Sequence, residues 1–248
     1  MSPPFPKQTF TAKPDAWTVA NVRRKLLAWG RDHHRDFPWR QAGATPYQVA
    51  IAEVLLKRTT ATAAARLYPS FIADFPDWAS LARATEKRLA RRLAPIGLSK
   101  QRARDLKRLA TLVAARRQGD LPKTLPALLE LPGLGPYSAR AVLSIAYGRP
   151  AAIVDSNVAR VLKRLFWPRA RATSLSPAEL QALADALVPP RAYKRFNLAL
   201  LDLAADVCRY DRPRCERCPL TRDCAFFRTV NHDFQVASHK KRKQRAEQ

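Results

Sequence analysis

Glycine is scarce, with seven in 248 residues, too few to supply the φ > 0 positions that tight β-hairpins demand turn after turn. No segment alternates apolar and polar residues long enough to read as a half-buried strand, and no internal repeat emerges. Acidic residues are also few, 20 Asp plus Glu against 45 Lys plus Arg, for a formal net charge of +25 and a pI of about 11.0. That balance calls for a polyanionic partner. Long apolar runs are missing: nothing approaches the ~20 residues that cross a bilayer, and the opening Met1-Ser2-Pro3-Pro4-Phe5-Pro6 lacks the apolar centre of a signal peptide. Cysteine is absent from the first 207 residues. These absences predict a soluble protein of the reducing cytoplasm, with no membrane partner.

What is present is a folded, cored chain. A basic protein can be a solvated ribosomal or membrane-surface arm, but 47% hydrophobic residues and five tryptophans argue for a packed interior. Apolar residues recur at helical spacing, as in Val22, Leu26, Leu27 and again Val54, Leu55. Start signals punctuate the pattern. Thr45-Pro46 reads as an N-cap followed by proline at the first helical position, and Ser176-Pro177-Ala178-Glu179 adds a capping-box glutamate. Ser99 is expected to cap a long basic helix that Gly119 ends. The expectation is an all-α protein with little strand, if any. Short polar or proline-rich ends bury too little to offset ordering entropy, so residues 1–14 and the basic tail 229–248 are expected to be loose.

Three local patterns carry chemistry. Leu131-Pro132-Gly133-Leu134-Gly135 separates two apolar helical stretches, Leu125 to Leu131 and Tyr137 to Tyr147, as a helix-hairpin-helix would. Glycines let backbone approach a ligand, and the free N–H groups of the second helix suit a DNA phosphate. A plain helical hairpin is the alternative. About twenty residues on, the apolar approach Ala152-Ile153-Val154 delivers Asp155 just before another helix, at a position that also suits an N-cap. Last come Cys208, Cys215, Cys218 and Cys224, separated by six, two and five residues. Four thiols in one short segment can converge on one centre, and four thiolates suit zinc or a [4Fe-4S] cluster. Zinc ribbons show two short-spaced pairs, whereas only Cys215 and Cys218 form one here. Disulfides fit poorly with a chain that has no other mark of secretion.

Hairpin, aspartate and cysteine loop, in that order, resemble the helix-hairpin-helix DNA glycosylases of the endonuclease III superfamily that hold an iron–sulfur cluster. Phe37-Pro38-Trp39-Arg40, Thr45-Pro46-Tyr47, Glu53-Val54-Leu55-Leu56 and Ile96-Gly97-Leu98 extend the resemblance over roughly residues 20 to 228. It implies two helical subdomains with a DNA-binding cleft between them. One is a six-helix barrel over 38–150. The other is a cluster domain over 151–228, against which an N-terminal helix within 15–37 packs. It also implies a [4Fe-4S] cofactor on the four cysteines and double-stranded DNA with a mismatched or damaged base as partner. Such an enzyme is expected to be monomeric and nucleoid-associated.

Branches of this family differ two residues beyond the second hairpin glycine, here Tyr137. Lysine there marks strand-cutting enzymes, serine the adenine-mismatch enzymes, and tyrosine the archaeal-type thymine-mismatch enzymes. The resemblance therefore implies a monofunctional glycosylase that removes thymine or uracil opposite guanine. An adenine-mismatch glycosylase lacking its usual C-terminal 8-oxoguanine-reading domain is the alternative, favoured by Glu53. Asp155 is implied to stabilise the charge that develops on the sugar. Tyr137 is implied to form a wall of the base pocket, and Glu53 to bond the base or a water. Lys57 and Arg58 are placed to enter or contact the duplex, Gly133, Leu134 and Gly135 to hold phosphate, and Arg209, Arg212 and Arg214 to meet the backbone from the cysteine loop.

Overall fold

The computed structural model describes residues 14–116, 119–167 and 175–229; most of the expected loose N-terminus and nearly all of the basic tail lie outside the described residues. Helices build the described chain, and no strand occurs among the described residues. Helix α1 (Ala16–Asp32) begins where Asp15 accepts the Thr18 N–H at 2.8 Å. Its buried Val22 and Leu26 sit one turn apart.

A short 3₁₀ turn, Pro38–Arg40, leads into α2 (Pro46–Leu56). Thr45 caps that helix in a full capping box with Gln48. From Val49 to Leu55 every residue of α2 is buried, so it runs through the middle of a core rather than along its surface. Around it lie α3 (Ala61–Asp74), α4 (Trp78–Arg83), α5 (Glu86–Leu93), α6 (Ser99–Ala114), α7 (Leu125–Leu129) and α8 (Pro136–Ala141). This first core extends from Trp39 to Ile153.

A second core joins α1 to α9 (Ser156–Phe166), α10 (Pro177–Leu187) and α11 (Tyr193–Asp202), with Leu162, Leu187, Phe196 and Leu203 at its centre. Ser176 and Glu179 form the expected capping box on α10. Gly30 lets α1 approach α11: a Cβ there would lie 2.6 Å from the Ala199 Cβ. The chain passes between cores at 151–153, where Ala151 and Ile153 join the first and Ala152 the second. Asn197, 1% exposed, closes the seam. Its amide donates to Ser144 Oγ and the Ala151 carbonyl, both at 2.8 Å, and its oxygen accepts the Ile153 N–H at 3.2 Å.

Several expected boundaries shift. Ser99 is the first residue of α6 rather than its cap; Leu98, in the left-handed region at φ 50°, occupies the cap position. That helix stops at Ala114, and Gly119 follows in a turn at φ 61°. The hairpin helices are shorter than their apolar runs. The first ends at Leu129, and the second gives way after Ala141 to a π-helical turn, Val142–Ala146. A second π-helical turn, Leu203–Val207, extends α11 towards the cysteines. No described helix is long and apolar enough to cross a membrane.

Candidate active site

A cavity of about 550 Å³ opens between the two cores. The end of α2 supplies Glu53, Leu56, Lys57 and Arg58, α8 supplies Tyr137, the start of α9 supplies Asp155, and α11 supplies Leu198 and Leu201. The three expected catalytic residues therefore share one cavity, although they lie on three different helices.

Glu53 is the unusual member. It is 4% exposed, and its Oε2 has no hydrogen-bond partner. Burial pushes its carboxyl up to about 8, with the Asp155 charge adding to the effect and the Arg40 and Lys57 charges opposing it. Glu53 thus keeps its proton at neutral pH. Asp155 stands at the N-cap of α9 and accepts the Val158 N–H at 2.7 Å and the Asn157 side-chain amide at 2.9 Å. Asp155 caps the helix and also lines the cavity. Tyr137 is half-buried. Burial first, and then the charges of Glu53 and Asp155, raise its phenol well above the ordinary value, so it remains a neutral hydroxyl.

Residues 51–190 match the family described as "HhH-GPD superfamily base excision DNA repair protein". The chain belongs to the HhH-GPD superfamily. It is 37% identical over 215 residues to the thymine/uracil-DNA glycosylase of Methanothermobacter thermautotrophicus, across 84% of this chain and 96% of that protein. It is also 36% identical over 196 residues to the adenine DNA glycosylase of Mycobacterium tuberculosis, across 79% of this chain but 64% of that one. Among solved structures, a thermostable thymine-DNA glycosylase superposes with a TM-score of 0.80 at 34% identity, covering 86% of this chain and 97% of that chain.

The hairpin of this HhH-GPD chain divides its work between glycines. Gly133 has φ 83° and needs to be glycine for its backbone. Gly135 does not: at φ −88° it is the N-cap of α8, and a Cβ there would meet nothing within 4 Å. Its openness leaves room for a ligand against the backbone. The Leu134 side chain is 4% exposed in the first core and its N–H donates to the Leu131 carbonyl, so it anchors the turn from inside. Lys57 and Arg58 are both exposed at the cavity edge, and the Lys57 ammonium donates to the Gly133 carbonyl.

The four cysteines line one pocket at the end of the second core. Burial raises the thiols of Cys215, Cys218 and Cys224, with Cys218 reaching about 11, and the charge of Cys208 as a thiolate would raise all three further. Four thiolates there need a cation among them. The local backbone suits anionic sulfur: the Leu220 N–H faces Cys218, the N–H groups of Phe226 and Phe227 face Cys224, and Arg164 Nη1 lies 3.6 Å from the Cys208 sulfur. Among the described residues no three His, Cys, Asp or Glu gather closely enough to hold a single ion. In the same loop Arg209 and Arg212 are exposed and Arg214 is half-buried, all away from the cavity wall.

Sequence reasoning missed a buried ionic group beside the site. Asp202, 0% exposed, accepts the Arg35 Nε at 2.7 Å and Arg40 Nη1 at 2.8 Å, and both arginines line the cavity. Arg40 fell inside a noted segment without a role of its own. The signal for Asp202 was a lone acid in the apolar run of α11, which composition alone does not single out.

Proposed function

We propose that this chain is a monofunctional DNA glycosylase that hydrolyses the N-glycosidic bond of thymine or uracil mispaired with guanine. The observation that carries the reading is the make-up of the cavity: two carboxyl groups and a phenol share its wall, while the lysine there, Lys57, has its ammonium engaged by a backbone carbonyl. Where strand-cutting members of the family carry their attacking lysine this chain has the phenol of Tyr137, so the base departs to water and the strand stays intact. The relatives named for thymine and uracil cover nearly their whole length, which supports the same substrate class.

A target base must leave the stack before its glycosidic bond is accessible, and a mispaired one leaves most cheaply. As the C1′–N1 bond breaks, its electron pair goes with the base and positive charge builds on the sugar. The Asp155 carboxylate stabilises that charge and takes a proton from the water that adds to C1′. Glu53 retains a proton at neutral pH and donates a hydrogen bond to a pyrimidine oxygen that becomes anionic. Tyr137 offers a ring face for stacking and a neutral hydroxyl. Exposed Arg58, Arg209 and Arg212, with the backbone at Gly133 and Gly135, meet the duplex and its phosphates.

The same reading assigns Cys208, Cys215, Cys218 and Cys224 to a [4Fe-4S] cluster that fixes the end of the second core, since base removal needs no electron transfer. It also divides the chain near residue 150 into a barrel and a cluster domain, and makes the protein a monomeric, nucleoid-associated repair enzyme. The buried protonated Glu53 favours one rival, an adenine-mismatch glycosylase, because a departing purine takes up a proton.

Single-turnover base release decides between them, on duplexes carrying G·T, G·U, A·G and adenine opposite 8-oxoguanine, each with and without alkali. Release of thymine and uracil that yields nicks only after alkali is expected. Release of adenine alone overturns the thymine/uracil assignment, and nicking without alkali overturns the monofunctional one. Iron and sulfide in equal amounts are expected in the purified protein; zinc in their place removes the cluster.

A further inference from the structure

Arg102 is a charged side chain that folding takes almost wholly out of water, at 3% exposure in the first turns of α6. Its acceptors there are carbonyl and hydroxyl oxygens. Nη1 donates to the carbonyls of Ile96 and Gly97, each at 2.8 Å, and Nη2 donates to the Lys57 carbonyl and to Thr59 Oγ1 at 2.6 Å. Lys57 closes α2, and Ile96 closes the 3₁₀ turn after α5. Carbonyls at the ends of two helical segments, 45 and 6 residues away in sequence, thus meet on one cation. Thr59 adds a second link between the same segments, 3.3 Å from both the Lys57 and Ile96 carbonyls.

A buried guanidinium is costly, and apolar packing of similar volume often stabilises a core as well or better. Stability alone is therefore a poor reason for arginine here. What it joins is more telling. Next to the clamped Lys57 and Gly97 carbonyls stand exposed residues in the left-handed region, Arg58 and Leu98, both at φ 50°. Bulky L-residues hold that conformation only when their surroundings impose it. Arg58 and Thr59 both line the cavity.

We infer that Arg102 is a positioning residue for base extrusion: it binds the 57–59 and 96–98 loops into one rigid edge, so that their exposed tips meet the duplex in a preset geometry. The inference rests on the glycosylase reading. Its physical basis is preorganisation: a loop held in its working shape before contact pays no ordering cost during extrusion. The edge matters when a paired base must be driven from the stack, and little when the base is already unpaired.

The test compares Arg102→Met and Arg102→Lys with the parent chain on uracil facing guanine in a duplex and on uracil within a bubble of unpaired bases. Thermal melting checks the fold, and a 2-aminopurine beside the target reports extrusion. Arg102→Met is expected to slow release from the duplex by about tenfold or more relative to the bubble, with a matching loss of the fluorescence rise. Arg102→Lys should restore part of it. Equal slowing on both substrates overturns the inference, because a merely structural role affects them alike. Failure of the parent to release base from either substrate overturns the glycosylase reading and the positioning role together. If Arg102→Met does not fold, Thr59→Val carries the test, with a smaller loss of the same sign expected and no difference between substrates overturning it.

Discussion

Two carboxyl groups face one cavity from different surroundings. Asp155 is held by two N–H donors at a helix start, whereas Glu53 is buried with an unpartnered oxygen. Asp155→Asn keeps the cap, since an amide oxygen still accepts the Val158 N–H, but removes the charge. Base release under single turnover should fall on the order of 10²- to 10³-fold while gel-shift affinity stays near parental; unchanged turnover would remove Asp155 from the chemistry. For Glu53 the sign follows from linkage. Between its ordinary value of 4.5 and about 8, the folded protein holds a proton that the unfolded chain has released, so raising pH across that window favours unfolding. Glu53→Gln should therefore raise the melting temperature and flatten its decline with pH, a gain of order a few kcal/mol by pH 8. On the proposed reading, base release by the parent should fall as pH rises through about 8, where Glu53 loses the proton with which it would bond the base. A melting curve with the same pH dependence in variant and parent contradicts this. Asp155 was legible in sequence as an acid just before a helix, a position that an N-cap explains by itself. Glu53 was visible as the one charge in an apolar stretch, but its protonation depends on packing from distant helices that no local pattern contains.

Local rules that act within one turn of helix were readable at the level of elements. Thr45 with Gln48 and Ser176 with Glu179 form capping boxes, because the donors and acceptors involved are three residues apart and need no tertiary partner. Boundaries decided by tertiary packing were not. The apolar period continues through Val142–Ala146 and Leu203–Val207, yet both turns widen to π-helix next to the seam between cores. The hairpin was legible in its motif but not in its division of labour. Gly133→Ala puts an L-residue at φ 83° with its Cβ 3.4 Å from that of Asp105. It should cost about 1 kcal/mol of stability or more. Gly135→Ala meets neither strain nor a protein neighbour, so its melting temperature should match the parent. Its DNA affinity should nevertheless fall several-fold if a phosphate lies against that backbone. Melting and binding measured on both variants separate the roles; a Gly135→Ala protein that binds as tightly as the parent removes phosphate from the N-terminus of α8.

Across the whole molecule, two cores meet at a seam, and the groups that make the cavity come from both sides of it. Tyr137 and Glu53 belong to helices of the first core, while Asp155 starts α9, whose Val158, Val161 and Leu162 are buried in the second. The cysteine loop stands at the far end of that second core: Cys208, Cys218 and Cys224 pack against it, and Asp223 reaches α1 through Lys25 at 2.7 Å and Asn21 at 3.0 Å. Binding free energy of a metal centre is folding free energy for the segment that surrounds it. Stripping the proposed cluster of its iron should thus loosen the loop, α1 and α9 while leaving the first core intact. Hydrogen exchange on the stripped protein is expected to show lost protection in α1, α9 and α10 with α2 still protected, and melting in two steps where the intact protein melts in one. Base release should fall even though the four cysteines do not line the cavity, because the carboxylate on α9 loses its fixed place opposite Glu53. Loss of protection spread evenly over both cores would mean that they unfold as one unit. Full activity in the stripped protein would mean that the seam, through Asn197 and its bonds to Ser144 and Ala151, holds Asp155 without help from the loop.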